Sequence, residues 1–138
     1  MIHSVYVDTD VIFDVLTKRE PYYNGSAKLF SLIENGKLTA YVSPLSFANM
    51  HYILRKISSS AKSKSTLKKI FSLVKISPFT EDVLAKALDC DFKDFEDAIQ
   101  NFSAINCKAK CIITRNLRDF TKSALPSFSP EEFLISQL

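Results

Sequence analysis

The sequence is poor in residues that interrupt regular structure, since only two of its 138 residues are glycine. It has eleven phenylalanines, and 46% of its residues are hydrophobic. This composition is typical of a packed, helix-rich protein and excludes a disordered chain. The length suits one domain, so we expect a single domain over residues 1–138.

Cysteines and long hydrophobic runs are also scarce. Cys90, Cys107 and Cys111 are an odd number of cysteines, and their spacing is not that of a zinc site. We therefore expect reduced thiols in a cytoplasmic protein. No apolar run approaches the roughly 20 residues that cross a bilayer, and the N-terminus lacks the basic region of a signal peptide. The sequence therefore predicts no membrane partner.

Apolar runs alternate with segments of helical periodicity along the chain. Strands are predicted at residues 2–7, 38–42, 75–79 and 111–114, with a further extended piece near residues 126–128. The runs show little alternation of polar residues, which is typical of strands buried on both faces. The pattern predicts an α/β protein: a three-layer α/β/α fold with a mostly parallel central sheet of four to five strands.

The helical segments share apolar positions at three- and four-residue spacing. Thr9 or Asp10 is predicted to cap the first, which ends near Leu16. Residues 58–65 are predicted to be a polar loop. The remaining helices are expected at residues 22–34, 44–57, 66–74, 80–88, 95–108 and from 130 onward. The third helix is expected to turn one side toward the core, formed by Leu45, Ala48, Asn49, Tyr52 and Ile53.

Polar residues follow the first and fourth predicted strands. Asp8 and Asp10 close the first, and the fourth is closed by Thr114, Asn116 and Asp119. Ligands of parallel sheets bind outside the carboxyl ends of the strands, so we expect these side chains to meet. Asp97 lies in the first turn of a helix, where the helix dipole favours its ionised form. Asn49 lies in the helix that leaves the second strand.

Several carboxylates at one place repel one another, and a divalent cation removes that conflict. Oxygen ligands favour Mg²⁺ or Mn²⁺, which can polarise a phosphoryl oxygen and activate water. These residues therefore fit metal-dependent hydrolysis of phosphodiesters. Each acid also has a plainer interpretation, since Asp10 and Asp119 could cap helical turns and Asp97 could be a solvated first-turn acid. Asp94 and Glu96 fit surface charges.

Four short motifs give the sequence a resemblance to the PIN-domain family, which contains metal-dependent ribonucleases and many bacterial toxins of toxin–antitoxin pairs. They are residues 7–11, residues 42–46, residues 97–99 and the block Ile113–Phe120. The last block is the most specific, because the family commonly closes its fourth strand with Thr-Arg-Asn or Thr-Arg-Asp and then Asp-Phe. The resemblance covers nearly the whole chain and implies an RNA substrate, an antitoxin partner and a homodimer.

The resemblance also implies roles for individual residues. Asp8, Asp97 and Asp119 would bind the metal and act in catalysis. The supporting residues would be Asp10 and Asn116, which assist the metal ligands, and Thr9 and Thr114, which hold the hydrogen-bond network. Family members usually carry a glutamate in the third helix, and the matching residue here is Asn49. Glu96 or Asp94 would then have to supply the missing charge.

The formal net charge of +3 does not indicate a nucleic-acid partner by itself. Arg115 and Arg118 lie next to the predicted site in the sequence and could contact phosphate groups. Basic residues that include Arg55, Lys62 and Lys64 could extend that surface, or could form a solvated helix face. Three aromatic residues are expected in the core rather than as base-stacking platforms: Tyr6, Tyr52 and Phe120.

The leading interpretation is a Mg²⁺- or Mn²⁺-dependent ribonuclease of single-stranded or structured RNA. A second is a catalytically weak or inactive PIN-like module that binds nucleic acid or a partner protein, which the exchange of glutamate for Asn49 favours. A third comes from residues 8–11, which also resemble the first motif of haloacid-dehalogenase-type phosphatases. That family would need a later lysine and an acidic motif for which Asn116–Asp119 is a poor match.

Overall fold

The computed structural model describes residues 1–137. Over this range the strands are β1 (Ser4–Val7), β2 (Thr39–Val42), β3 (Lys75–Ile76), β4 (Cys111–Ile113) and β5 (Ser127–Phe128). The helices are α1 (Thr9–Leu16), α2 (Tyr23–Glu34), α3 (Pro44–Ile57), α4 (Ser60–Leu73), α5 (Glu81–Asp89), α6 (Phe95–Asn106) and α7 (Pro130–Ser136). A 3₁₀ turn at Leu117–Phe120 follows β4.

The described strands form one sheet in the order β3-β2-β1-β4-β5, and every neighbouring pair is parallel. This confirms the predicted parallel α/β architecture. Strand β1 lies at the centre, with Val5 opposite Ala40 on one side and Cys111 on the other. The carboxyl ends of β1 and β4 are therefore neighbours, and the Asp8 amide donates to the Ile113 carbonyl oxygen at 2.9 Å.

Alternate side chains of β1 enter different parts of the core, which gives the predicted three layers. Val5 and Val7 belong to the larger cluster, which α1, α2, α3, α4 and α7 complete. Tyr6 belongs to a second cluster that includes Phe120 and Ala104 of α6. Tyr6 and Phe120 are buried, as the sequence predicted.

The predicted polar loop at residues 58–65 is wrong, because α4 already begins at Ser60. The side chain of Ser59 accepts a hydrogen bond from the Lys62 amide at 3.1 Å and so caps the helix. Ser63 is buried, and its hydroxyl is hydrogen-bonded to Nδ1 of His51 at 2.7 Å. A serine-rich segment forms a helix here because α3 supplies a partner for its buried side.

The predicted inward side of α3 is also wrong, except for Leu45, which packs against the cluster that α5 and α6 form. The helix buries Ser46, Met50 and Leu54, whereas Tyr52 and Ile53 are exposed. Ala48 is exposed and Asn49 is half-buried, so neither forms part of the core. The helix has apolar residues on more than one side. The side that packs is the one that meets Leu67 and Ile70 of α4 in the core, and this choice depends on tertiary structure.

The three cysteines carry free thiols, and burial raises the pKa of Cys111 to about 12. A pKa this high keeps the thiol protonated and unreactive at neutral pH. Within residues 1–137, no helix combines the length and the apolar character that crossing a membrane requires.

Replacing Ser59 with alanine tests the N-terminal cap of α4. Loss of the side-chain acceptor should lower the free energy of unfolding by about 1 kcal/mol. The control is Ser65→Ala, an exposed position inside the same helix, where alanine should leave stability equal or slightly higher. Urea unfolding measures both. Equal small effects of the two variants would contradict a helix that begins at Ser60.

Candidate active site

A cleft of about 630 Å³ opens where β1 and β4 end. Its carboxylates come from the end of β1, the first turn of α1, the start of α6 and the segment after β4: Asp8, Asp10, Asp94, Glu96, Asp97 and Asp119. Residues of α1, α3 and the segment after α1 complete much of the lining, including Phe13, Arg19, Tyr52 and Ile53. The cleft therefore combines an acidic part with an aromatic and basic part.

Asp8 is the most deeply buried acid of the cleft, with 4% of its surface exposed. One carboxylate oxygen, Oδ1, accepts from the Gln100 amide nitrogen at 2.8 Å, and Oδ2 accepts from the Thr114 hydroxyl at 2.7 Å. Burial raises the pKa of Asp8, and these two hydrogen bonds act in the opposite direction. Thr114 therefore holds one oxygen of Asp8 from the end of β4.

Asp8 is also the N-cap residue of α1, so the prediction that Thr9 or Asp10 caps this helix is wrong. Its carboxylate makes no cap hydrogen bond, because both oxygens are taken by residues from α6 and the end of β4. The Thr9 hydroxyl instead donates to the Ser46 hydroxyl of α3 at 2.6 Å. Thr9 thus ties α1 to α3 beside the cleft.

Gln100 is a site residue that the sequence analysis missed. Its carbonyl oxygen accepts from the Tyr6 hydroxyl and from the Thr9 amide, each at 3.3 Å. Gln100 is buried and therefore fixes the orientation of Asp8 from α6. A signal was present, since Gln100 lies three residues after Asp97 and the two share a helix face.

In the described part of the chain, only one of the two carboxylate oxygens of Asp10 accepts a hydrogen bond. Its Oδ2 accepts from the Asn116 side-chain amide at 2.6 Å. Its Oδ1 is buried without a hydrogen-bond donor among the described residues. Burial, followed by the charge of Asp8, raises the pKa of Asp10 to about 7, and Arg115 acts against this rise. An unsatisfied buried carboxylate oxygen favours a cation at this point.

Asp97 lies near four other carboxylates, and it is also partly buried. Burial, then Asp8, Asp94, Asp119 and Asp10, raise its pKa to about 8. The Asp97 amide donates to the Asp94 carboxylate at 3.0 Å, so Asp94 is the N-cap of α6. Asp94 is exposed, as expected of a surface charge, and it also caps α6. Asp119 is exposed in the 3₁₀ turn and lines the same cleft.

Asn49 contacts an acid directly. Its side-chain amide donates to the Glu96 carboxylate at 3.1 Å, which joins α3 to the first turn of α6. Glu96 is exposed, as expected of a surface charge, and it also lines the cleft. The structure thus places one carboxylate beside Asn49, within the cleft.

Arg115 is held by a residue that the sequence analysis did not single out. Its Nε and Nη2 donate to the two carboxylate oxygens of Asp14 at 2.9 and 3.2 Å. Its guanidinium carbon lies 4.3 Å from the centre of the Tyr22 ring. Paired contacts of this kind fix a guanidinium group strongly. Asp14 follows Asp10 by one helical turn, and that spacing was the available signal.

The other predicted RNA-contacting residues lie outside the lining of the cleft. Arg118 is exposed and lines a neighbouring depression together with Lys122 and Asp119. Lys62 and Lys64 are exposed on α4. Tyr52 was expected in the core, and this expectation is wrong, since it is 54% exposed and lines the cleft.

The carboxylates of the cleft are suitable ligands for a divalent cation, but their side chains are not already arranged around one point. Among residues 1–137, no three His, Cys, Asp or Glu side chains form a preassembled metal site. Burial and neighbouring carboxylates nevertheless raise the pKa values of Asp10 and Asp97, and one oxygen of Asp10 lacks a hydrogen-bond donor in the described chain. Mg²⁺ requires only one or two carboxylates, because it keeps several of its waters. The residues present are compatible with a hydrated ion of this kind.

Comparison with known proteins gives a match to the family model described as PIN domain over residues 4–118. No curated protein matches the sequence. The fold is similar to that of VapBC2 from Rickettsia felis, bound to a DNA fragment from its promoter, with a TM-score of 0.67 and 19% identity over 91% of this chain and 97% of the other. A second similar structure is a toxin–antitoxin complex from Klebsiella pneumoniae. Its TM-score is 0.68, with 20% identity over 92% of this chain and 98% of the other.

A third similar structure is Mycobacterium tuberculosis VapC20, described as a toxin that cleaves the sarcin–ricin loop. Its TM-score is 0.62, with 13% identity over 79% of this chain and 87% of the other. At sequence identities this low, the structural similarity establishes a shared fold and nothing more.

The raised pKa of Asp97 predicts how the stability of the metal-free protein depends on pH. Because the pKa is about 8 in the folded protein and near 3.8 in an ordinary carboxyl, the folded state binds more protons between these values. The free energy of unfolding should therefore fall as the pH rises from about 4 to 8. Asp97→Asn should make this decline shallower, measured by urea unfolding in EDTA.

The control for this prediction is Asp89→Asn, an exposed carboxylate at the end of α5 that does not line the cleft. It should keep the wild-type decline. If the free energy of unfolding of the wild type instead rises steadily from pH 4 to 8, the raised pKa of Asp97 does not control the pH dependence of stability.

Proposed function

Its match over residues 4–118 makes the chain a member of the PIN-domain family, and we propose that it is a Mg²⁺- or Mn²⁺-dependent ribonuclease. One observation carries the proposal: Asp8, Asp10 and Asp97 line a single cleft, and all three have raised pKa values. Such a concentration of poorly compensated charge is typical of a functional site. Family membership directs the proposal toward hydrolysis of RNA.

Asp8, Asp97 and Asp119 would hold the metal ion, with Asp10 and Asn116 in support. The ion, when bound, would polarise a phosphoryl oxygen and lower the pKa of a water molecule. The chain's own contribution is orientation, since Gln100 and Thr114 fix the two oxygens of Asp8. Groups that orient metal ligands in this way are typically worth roughly 10- to 100-fold in affinity or activity.

Arg115 would bind a phosphate group of the substrate. Its bidentate pair with Asp14 and its contact with Tyr22 keep the guanidinium at the edge of the cleft. Preorganised positive charge favours a phosphodiester, because little side-chain freedom is lost on binding. Arg55 would contact the RNA backbone, and Arg118, Lys62 and Lys64 would attract it from a longer distance. This attraction weakens with salt.

Glu96 would replace the carboxylate that family members carry in the third helix. Asn49 occupies that position here and donates to Glu96 at 3.1 Å. The negative charge would then come from α6 instead of α3. The alternative function is a PIN-like module that binds nucleic acid or a protein without cleaving RNA. Asn49 and the absence of a preassembled metal site among residues 1–137 favour this alternative.

A cleavage assay on single-stranded RNA tests the ribonuclease proposal. The wild type should cleave with Mg²⁺ or Mn²⁺ and stop in EDTA. Asp8→Asn and Asp97→Asn should lower the rate by about 100-fold or more, since each removes a proposed ligand itself. Glu96→Gln should lower it as well, whereas the exposed carboxylate variant Asp89→Asn should keep the wild-type rate.

RNA that is bound by the wild type but not cleaved with either metal would contradict the enzyme and support the binding module. Hydrolysis of a generic phosphomonoester that is lost in Asp8→Asn would instead indicate the phosphatase alternative.

We also propose an antitoxin partner and a homodimer. The similar Klebsiella pneumoniae structure is a toxin–antitoxin complex, and this chain leaves apolar side chains exposed on α5 and at the end of α3. Leu88 is 68% exposed and follows Leu84 by one turn, and Ile57 is 66% exposed. The neighbouring exposed leucines of α5 favour a protein interface at that helix.

Sedimentation velocity of the purified chain tests the homodimer. The wild type should sediment as a dimer, and Leu88→Asp should shift it toward the monomer, because an interface core disfavours an unpaired charge. The matched variant Asp89→Asn should leave the dimer intact. A wild type that remains monomeric at every concentration would contradict the homodimer.

A further inference from the structure

An exposed aromatic residue lies at the non-acidic part of the cleft. Tyr52 and Ile53 of α3 are 54% and 44% exposed, and both line the cleft together with Phe13 of α1. The helix buries a different side, so packing within the described chain does not account for these apolar surfaces. They border the same space as the carboxylates that would hold the metal.

Two cations lie close to the Tyr52 ring. The Lys56 ammonium nitrogen lies 4.0 Å from the ring centre and donates to the Tyr52 hydroxyl at 2.9 Å. The guanidinium carbon of Arg55 lies 5.3 Å from the same centre. Arg19 adds a third positive charge to the lining of the cleft. The ring is thus an apolar surface within reach of charges that attract phosphate.

We propose that Tyr52 is a stacking platform for one unpaired RNA base, with Arg55 and Lys56 binding the phosphate beside that base. The proposal rests on the proposed function, and it narrows the substrate class to RNA that is single-stranded next to the cut. Single strands are commonly bound by aromatic rings that stack on bases and by basic residues that follow the backbone.

The charges around Tyr52 favour RNA over a protein partner at this place. The centre of a protein interface is usually depleted of charged residues, whereas Tyr52 contacts two cations and borders a cleft with six carboxylates. A polyanion complements the cations directly, and a metal ion would join the carboxylates to the phosphate. The volume of about 630 Å³ is in the range of sites that take small organic groups, of which a nucleotide is one.

Base stacking requires a free face of the base, so the platform predicts a preference for unpaired RNA. A base inside a duplex is covered on both faces by its neighbours, and a single strand can turn a base outward. The phosphates of the duplex would still attract Arg55 and Lys56. Tyr52 should therefore affect the binding of single strands more than that of duplexes.

The test measures RNA binding by fluorescence anisotropy in the presence of Mg²⁺. All proteins carry Asp97→Asn, which prevents the proposed cleavage. In this background, Tyr52→Ala should raise the Kd for a labelled single strand by about tenfold or more. Tyr52→Phe keeps the ring, so its Kd should stay close to that of the protein with Tyr52. Phe71→Ala removes an exposed aromatic residue of α4 that does not line the cleft, and it should leave the Kd unchanged.

A second arm uses a duplex that contains the same sequence. Tyr52→Ala should change its Kd by less than threefold, so that the preference for single strands decreases in the variant. An equal loss on both RNAs, or no loss on either, would overturn the platform. Unchanged RNA binding together with an altered sedimentation coefficient would overturn it in favour of a protein interface.

Failure of the stacking platform can be distinguished from failure of the proposed ribonuclease function. If Tyr52→Ala in the otherwise unchanged protein binds and cleaves single strands as the wild type does, the platform is wrong and the ribonuclease stands. If the Tyr52-dependent binding is found but the wild type never cleaves, the platform stands and the ribonuclease is wrong.

Discussion

The carboxylate of Asp8 is the constraint on which the cleft depends. It lies at the end of the central strand, nearly without contact with solvent, and its two oxygens accept from Gln100 and Thr114. These donors come from α6 and from the end of β4, so one acid fixes the relative positions of three segments. A buried charge is costly unless donors surround it, which explains why polar residues are concentrated at this edge of the sheet.

The remaining acids are arranged around this fixed charge and are less well compensated. Asp97 and Asp10 both lie in the field of Asp8, and burial adds to their cost of ionisation. Arg115 offsets part of the charge, but its guanidinium already forms a bidentate pair with the buried Asp14. The arrangement therefore keeps a net negative cleft beside a cation of fixed position. That combination suits a substrate that brings its own phosphate together with a divalent ion.

Much of this arrangement could be predicted from the sequence, because strand ends in a parallel sheet converge. The strand pattern placed Asp8 near Thr114 and Asn116, and the structure confirms the parallel sheet. Gln100 and Asp14 were missed, since their importance comes from partners about 90 to 100 residues away in the chain. The side of α3 that packs was predicted wrongly, because the helix has two apolar sides and only the position of α4 selects between them.

The side of α3 that packs on the core also determines which of its residues line the cleft. With Met50 and Leu54 facing the core, Asn49 and Tyr52 face the cleft, where a packed α3 of the predicted orientation would have hidden them. Asn49 meets Glu96, and Tyr52 presents its ring next to Arg55 and Lys56. A carboxylate on α3 would have placed another negative charge beside this ring and its cations. Because Asn49 is uncharged and the carboxylate beside it belongs to α6, α3 itself adds no negative charge to its side of the cleft.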